Sequence, residues 1–258
     1  MSHIHGKEVV RHFKTLGGIL LIVLATPVWA GDANAEGDWD IHIGLPFWAF
    51  GVEHSVGVNG REAETDEDFD DFFDILDFTA GLNVEARKAG WLLFANSQYA
   101  KVSTDAEAGG LLSGLADRVD LTTKELEVDF GLGFDVIRRG HFSLEPFVGG
   151  RLASVEVELE ADAGDSFDRS ETWVDPIVGG IATFRFGRYL AVYGEADIGG
   201  FAVSSDITWQ IQGGLELNIL RWPYLRLGYR HRETDFEDDS FKYDIKKSGP
   251  MLELGLRF

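Results

Sequence analysis

The sequence predicts a one-domain all-β chain that closes into an antiparallel transmembrane β-barrel of about ten strands. Three observations predict this fold. Apolar residues recur at every second position over many segments, rather than with the helical period of about 3.6 residues. Short basic connections alternate with longer acidic ones. The chain also ends inside an alternating segment, "MLELGLRF" at 251–258, where a soluble domain usually has a polar, poorly ordered tail.

The clearest alternating segment is 125–136, "ELEVDFGLGFDV". Its even-numbered residues are apolar and its odd-numbered residues are acidic or glycine, which gives a strand one apolar and one polar face. The stretches 207–219 and 225–232 repeat this pattern. Weaker alternation marks the remaining segments, at 39–53, 77–87, 91–104, 142–160, 172–187, 190–203 and 241–258. Together they make ten strands, an even number, with eight or twelve as the alternatives.

The polar faces of these segments distinguish a membrane barrel from a soluble sandwich, which alternation alone does not exclude. They carry both charge signs together with glycines, as expected if they line a lumen while the apolar faces meet lipid. We interpret the charges as an interior ion-pair network, with Glu253 expected between Arg226 and Arg230. The predicted members are Glu125, Glu127, Asp129, Glu145, Arg151, Glu195, Asp197, Glu216, Arg226, Arg230 and Glu253. The alternative is a charged wall that attracts permeating cations.

The connections distinguish the two ends of the barrel. The short turns at 87–90, 138–141, 187–189 and 221–224 carry six Lys or Arg and no acid. The other connections hold 21 Asp or Glu against three Arg, and they span 54–76, 105–118, 161–171, 204–206 and 233–240. Short turns are expected on the periplasmic side. An interfacial aromatic girdle is predicted there from Trp39, Trp91, Tyr189, Trp222, Tyr224 and Phe258.

The N-terminal segment has the pattern of a secretory signal. Lys7, Arg11 and Lys14 precede the apolar run "GGILLIVLAT", which is too short to span a bilayer. We therefore predict a cleaved signal peptide at 1–30, a short segment at 31–38 and the barrel at 39–258; a buried N-terminal helix is the alternative. Such a leader implies export beyond the inner membrane, and together with the predicted barrel it implies a location in the outer membrane of a Gram-negative-type bacterium, reached through the periplasm.

Charge and composition exclude several classes of function. The formal net charge is −21, and because residues 1–30 carry three basic and one acidic side chain, their removal lowers it to −23. Such acidity argues against nucleic acid as a partner. The chain has no cysteine, so it has no disulfide and no cysteine metal site. A hydrophobic content of 45% argues against disorder.

One acidic loop is a candidate cation site. The stretch 62–74, "EAETDEDFDDFFD", contains eight carboxylates, and oxygen-rich clusters can hold Ca²⁺ or Mg²⁺. The candidate ligands are Asp66, Asp68, Asp70 and Asp71, although their spacing does not match an EF-hand. The alternative is a solvated acidic loop, with Phe69, Phe72, Phe73, Ile75 and Leu76 on a short amphipathic helix. No other cofactor is expected.

The terminal "LELGLRF" resembles the last strand of bacterial outer-membrane β-barrel proteins. The resemblance implies that Leu254, Leu256 and Phe258 form a signal for the barrel-assembly machinery. "WVDPIVGG" (173–180), "GEADIGGF" (194–201) and "LGYRHRETDFEDD" (227–239) are similar to a largely uncharacterised family of such barrels. This narrower resemblance implies fold and location, but no ligand, reaction or catalytic residue.

These features predict a structural or surface-interaction barrel with a narrow or occluded lumen, because barrels of about eight strands are filled by their own side chains. The alternatives are a small porin for cations or small polar solutes and, third, an outer-membrane protease or lipid-modifying enzyme. For catalysis His54 is the attractive base; His231 faces lipid by parity, and no Ser–His pair is visible. The expected partners are outer-membrane lipid and the assembly machinery, and the sequence does not reveal an oligomeric state.

Overall fold

The computed structural model describes residues 39–58, 61–67, 76–110, 118–161, 166–238 and 241–258. The predicted signal peptide and the segment 31–38 lie outside these residues. None of the described residues belongs to a helix long and apolar enough to cross a bilayer. The strands of the described ranges are β1 (Asp40–Trp48), β2 (Gly51–Val58), β3 (Arg61–Glu67), β4 (Leu76–Lys88), β5 (Trp91–Gly110), β6 (Arg118–Phe134), β7 (Ile137–Arg139), β8 (Phe142–Ala161), β9 (Ser166–Phe186), β10 (Leu190–Gly199), β11 (Ile207–Asn218), β12 (Pro223–Asp238) and β13 (Phe241–Arg257).

The strands form one closed antiparallel sheet. In three places two consecutive strands share one position in the ring, because both pair with the same neighbour. β1 and β2 both pair with β13, β3 and β4 with β5, and β6 and β7 with β8. The ring therefore has ten positions: β1/β2, β3/β4, β5, β6/β7, β8, β9, β10, β11, β12 and β13. It closes between β1 and β13, where the backbone N–H of Phe258 donates to the carbonyl of Ile41 at 2.8 Å. The predicted ten-stranded antiparallel barrel is confirmed.

The outer face of the barrel is apolar and the inner face is charged. On β6, Phe130, Leu132 and Phe134 are each more than 40% exposed, whereas Glu127 and Asp129, which point to the opposite face, are buried. A soluble sandwich would bury its apolar face and hydrate its acidic one. The observed orientation is instead that of a barrel whose outer face meets lipid.

The strands continue beyond this apolar band, which corrects the predicted connections. On the outer face the band gives way to polar side chains such as Lys124, Glu156 and Thr172, at the end opposite the short turns. The strands β5, β8 and β12 nevertheless extend to Gly110, Ala161 and Asp238. Much of the sequence expected in long loops is therefore strand, because ladder hydrogen bonds between neighbours persist where the outer face is wetted by water.

The acidic segment 62–74 shows the same correction more sharply. Residues 61–67 form β3, which pairs along its length with β2 and over 61–64 with β5. The prediction of a loop is wrong for this described part, because two neighbouring strands hold its backbone extended. Residues 68–75, with the rest of the predicted helix, lie outside the described residues, and Leu76 begins β4.

At the short-turn end four of the six predicted girdle residues have exposed side chains, whereas Phe258 is partly buried and Tyr224 is buried. Trp39, Trp91, Tyr189 and Trp222 are about half exposed. Tyr224, however, is only 2% exposed and lies in the lumen, where its hydroxyl donates to Glu253 at 2.6 Å, so its assignment to the girdle is wrong. Tyr224 has the parity of the inward residues of β12. The inward Gly255 leaves room for it, since a Cβ there would lie 2.2 Å from the tyrosine ring.

Candidate functional site

Aromatic side chains fill the half of the lumen farther from the short turns. We call them the aromatic plug, and they are Trp48, Phe50, Trp173, Phe236, Phe241 and Tyr243. Trp173 stacks on Phe236 with ring centroids 4.2 Å apart. The aliphatic residues Val155 and Val157 are fully buried against them. Close-packed rings leave no room for a broad aqueous path at this level.

A layer of buried ion pairs lies next to the plug, and Arg151 is at its centre. This side chain is 1% exposed. Its guanidinium donates to Asp129 at 2.7 Å, to Asp197 at 3.0 Å and to the hydroxyl of Thr208 at 2.9 Å. These partners come from strands β6, β10 and β11, so one cation ties together distant parts of the wall. Buried charges are tolerated only when paired and hydrogen-bonded in this way.

The same layer crosses the barrel from wall to wall. Arg232 on β12 donates to Asp129 on β6 at 2.6 Å and pairs with Glu127 at 2.6 Å. In the ring of ten positions β6 and β12 are five apart, which makes them diametrically opposite. Lys247 on β13 likewise pairs with Glu125 at 2.7 Å. The ion-pair layer therefore bridges the full diameter of the lumen.

A polar cavity of about 760 Å³, including its open end, lies in the half of the lumen near the short turns. Arg226 pairs there with Glu85 at 2.8 Å, Glu216 at 2.9 Å and Glu253 at 3.3 Å. Arg87 pairs with Glu145 at 3.0 Å. The walls of the cavity thus mix both signs rather than presenting one uniform charge.

The structure places every predicted network residue in the lumen but divides them among separate clusters. Glu195 accepts from the amides of Gln210 and Gln212 rather than from a cation. Glu253 contacts Arg226 but does not lie between two arginines, because Arg230 bonds to Gln212 and Gln98 instead. The sequence-based network omitted Glu85, Arg87 and Lys247, which share the parity of the inward residues on β4 and β13.

The four histidines of the predicted barrel occupy different environments. His42 is buried in the lumen, with its ring 5.3 Å from that of Tyr224. His141 lies in an exposed short turn, and His231 faces outward from β12. His54 lies on β2 opposite Ile245, and its side chain is outside the described part of the chain.

The described residues contain no group of three or more His, Cys, Asp or Glu arranged to hold a metal ion. Of the predicted cation ligands, Asp66 lies on β3 opposite Glu53. Asp68, Asp70 and Asp71 lie outside the described residues. The cation site remains a prediction.

Outside the lipid-facing band, surface ion pairs connect the extended strands. Lys124 on β6 donates to Glu156 and Glu158 on β8, each at 2.8 Å. These hydrogen bonds raise the pKa of the Lys124 ammonium group and lower the pKa of the Glu158 carboxyl group. The pairs are solvent-exposed, so they stabilise the strand pairing only weakly.

Comparison with known proteins supports the fold but assigns no family. No family model and no curated protein matches the chain. The outer-membrane protease OmpT of Escherichia coli superposes with a TM-score of 0.57 at 6% identity, covering 87% of this chain and 98% of that chain. Ail, the attachment invasion locus protein of Yersinia pestis, gives 0.35 at 18% identity over 87% of this chain and 100% of that chain. OprG of Pseudomonas aeruginosa gives 0.38 at 11% identity, over 86% and 96%.

At 6% identity the OmpT superposition shows the fold alone. The apolar outer face, the closed ring of ten positions and this superposition agree. The chain has the fold of the bacterial outer-membrane β-barrels.

Proposed function

We propose that this protein is an outer-membrane β-barrel with a structural or surface-interaction role and an occluded, charged lumen. The observation that carries the proposal is the contact between Arg232 and Asp129, which joins opposite walls at 2.6 Å. Side chains that meet across the lumen leave less of its cross-section open to water and solutes. The fold supports the location in general, and the predicted leader at 1–30 supports the route through the periplasm.

Two barriers in series support an occluded lumen over a small porin. The ion-pair layer holds Arg151, Arg232 and Lys247, each at most 3% exposed as a side chain and each paired with carboxylates. Next to this layer the aromatic plug fills the lumen with apolar rings. A permeating cation would have to break buried ion pairs and then enter an apolar region, and both steps are costly. The cavities at the level of the ion-pair layer and beside Trp48 and Phe50, of about 320 and 200 Å³, are smaller than the polar cavity of about 760 Å³ near the short turns.

The outer surface supports lipid as the main partner. The assembly-signal residues Leu254 and Leu256 are about half exposed on the outer face of β13. Phe258 follows them at the closing seam with β1. We therefore propose that the last strand both seals the ring and is recognised by the barrel-assembly machinery.

Planar-bilayer recording of the purified protein tests the occluded lumen. The wild type is expected to give no stable unit conductance. The double variant Asp129→Ala/Arg232→Ala is also expected to be silent, because the aromatic plug still closes the lumen. Adding Trp173→Ala and Phe236→Ala should produce conductance. The control Lys124→Ala/Glu156→Ala removes an ion pair from the outer face and should be silent.

A stable conductance of the wild type whose ion selectivity changes in Arg232→Ala would overturn the proposal. That result would instead support the small porin for cations or small polar solutes. Silence of all variants, including the one without plug and bridge, would show that other side chains also close the lumen.

A further inference from the structure

Three polar side chains form a hydrogen-bonded chain on the outer face of the barrel. Ser248 on β13 and His231 on β12 are direct cross-strand partners, and the serine Oγ lies 2.5 Å from the imidazole Nδ1. The opposite ring atom, Nε2, lies 3.1 Å from Oε1 of Glu233. The order is therefore hydroxyl, imidazole and carboxylate, the arrangement by which a base activates a serine nucleophile.

A tryptophan donates a hydrogen bond to the carboxylate of this hydrogen-bonded series. The indole N–H of Trp209 on β11 donates to the other oxygen of Glu233 at 3.2 Å. The indole ring also lies 4.8 Å from the ring of His231. Glu233 and His231 are thus fixed from a third strand. A surface polar pair formed only for solubility needs no such support, whereas a catalytic base must be oriented by neighbouring groups.

The three side chains lie at the margin of the lipid-facing band. Tyr229, two residues before His231 on the same face of β12, is exposed and belongs to the apolar band. In the opposite direction Lys246, beside Glu233, pairs with Glu53 at 3.3 Å in a fully polar region. The imidazole and the carboxylate are 26% and 34% exposed as side chains, so molecules outside the barrel can reach them.

We propose that Ser248, His231 and Glu233 form a serine esterase site for long-chain acyl esters of membrane lipids. A lipid places its acyl chains in the apolar band and its ester groups at the boundary with the polar region. This is the level at which Ser248 faces outward. The proposal is independent of the occluded lumen, because none of the three side chains lines the interior.

The chemistry follows from the order of the groups. With the proton of the neutral imidazole on Nε2, Nδ1 accepts the hydroxyl proton while Oγ of Ser248 attacks the ester carbonyl carbon. The ester C–O bond breaks, the leaving alcohol takes the proton from His231, and the acyl group remains on Ser248. A water molecule then gives a proton to His231 and attacks the acyl-serine. Fatty acid leaves, and the proton returns to Ser248.

The roles of the three groups differ. Ser248 and His231 are catalytic residues because they touch the reacting atoms. Glu233 is a positioning residue: it selects the tautomer of His231 and stabilises the imidazolium ion that forms.

Covalent labelling tests the nucleophile without knowledge of the natural substrate. Purified, refolded full-length barrel in detergent micelles is treated with a long-chain alkyl fluorophosphonate, and the labelled residue is located by peptide mass spectrometry. We expect the label on Ser248, no label in Ser248→Ala, and labelling at least about 100-fold slower in His231→Asn. The matched control Ser154→Ala removes another outward serine, bonded to Thr172 at 2.9 Å, and should label normally.

Hydrolysis assays then identify the source of the ester. Mixed micelles containing phosphatidylethanolamine or phosphatidylglycerol form one arm, and purified lipopolysaccharide forms the other, with released fatty acid measured in both. Ser248→Ala should lose activity by about 1,000-fold or more in whichever arm is active, and Glu233→Gln should lower kcat while leaving KM unchanged.

Circular dichroism and migration of the folded barrel on gels check that each variant folds. Absence of labelling at Ser248 together with no hydrolysis in either arm would overturn the proposal. Hydrolysis that persists in folded Ser248→Ala would do so equally.

Discussion

The loss of unfolding free energy on replacing Arg151 with methionine measures most directly whether water is excluded from the ion-pair layer. Methionine has a similar length but no charge or donor. The substitution removes the hydrogen bonds from Arg151 to Asp129, Asp197 and Thr208. Asp129 keeps Arg232 as a partner, whereas Asp197, whose side chain is 1% exposed, loses the cation that pairs with it.

The size of the effect follows from the charge that is left behind. Removing one partner of a buried ion pair destabilises a protein by about 3–5 kcal/mol, because an uncompensated charge remains in a region of low dielectric. Arg151→Met should therefore lower the free energy of unfolding by about 3–5 kcal/mol. Adding Asp197→Asn neutralises the stranded carboxylate and should recover about 2 kcal/mol.

Urea unfolding of the barrel in lipid vesicles, followed by tryptophan fluorescence, measures these differences. Lys124→Met is the matched control, because it removes an exposed ion pair and should cost no more than about 1 kcal/mol. A cost of less than about 1 kcal/mol for Arg151→Met, equal to that of the control, would refute the reasoning. Such a result would mean that water solvates the layer and that the lumen is open.

Three further predictions concern assembly, turn strain and pH. Deleting Phe258 removes its backbone hydrogen bonds to Ile41 and should lower the amount of barrel in outer-membrane fractions of cells; a normal amount would argue against the role of the tail in assembly. Ala202 has a positive φ of 54°, so Ala202→Gly should raise the free energy of unfolding by about 0.5–1 kcal/mol in urea titrations, and a loss would contradict the assigned strain. Because the Lys124 ion pair lowers the pKa of Glu158, its small contribution to stability is present at neutral pH and disappears as the pH falls through the lowered pKa. The urea midpoints of wild type and Lys124→Met should therefore differ at pH 7, and the difference should shrink as the pH falls below the ordinary glutamate pKa and through the lowered pKa of Glu158; a difference that stays constant over that acid range would show that the pair does not titrate as expected.

The face to which each membrane-spanning residue points was predictable from the sequence. The alternation in 125–136 placed Glu125, Glu127 and Asp129 on the opposite face from Phe130 and Leu132, and the structure shows that separation. Parity would also have placed Tyr224 and Lys247 in the lumen had it been applied to every residue. The information is local, because successive side chains of a strand point to opposite faces whatever the partner strand.

The partners across the lumen were not predictable in the same way. Arg232 meets Asp129, which is 103 residues away in the sequence, because β6 and β12 face each other in a ring of ten and at one height. Strand number, tilt and stagger together determine that height. A register uncertain by two residues is enough to give the wrong partner, as it did for Glu253 and Arg230.

The outward Ser248–His231 pair shows an intermediate case. Both residues belong to the hairpin of β12 and β13, and pairing that is symmetric about its tip brings residues 231 and 248 opposite each other. The sequence placed His231 on the outer face, but a serine 17 residues away becomes its partner only when the length of the hairpin is known. The ends of the strands beyond the apolar band were harder to predict as strand, since there the outward side chains are as polar as those of a loop.

The sequence by itself determined that this chain is a closed barrel of about ten strands with lipid outside and charge inside. The period of two predicted strands, and the mixed charges and glycines of their polar faces favoured a barrel over a sandwich, because closure satisfies the backbone hydrogen bonds of every strand while the apolar faces meet lipid. Only the tertiary structure decided that Arg232 meets Asp129 across the lumen, that aromatic side chains pack together inside it, and that serine, histidine and glutamate meet on the outer face. Those contacts depend on which strands face or flank one another and at what height, and closure of the ring sets both.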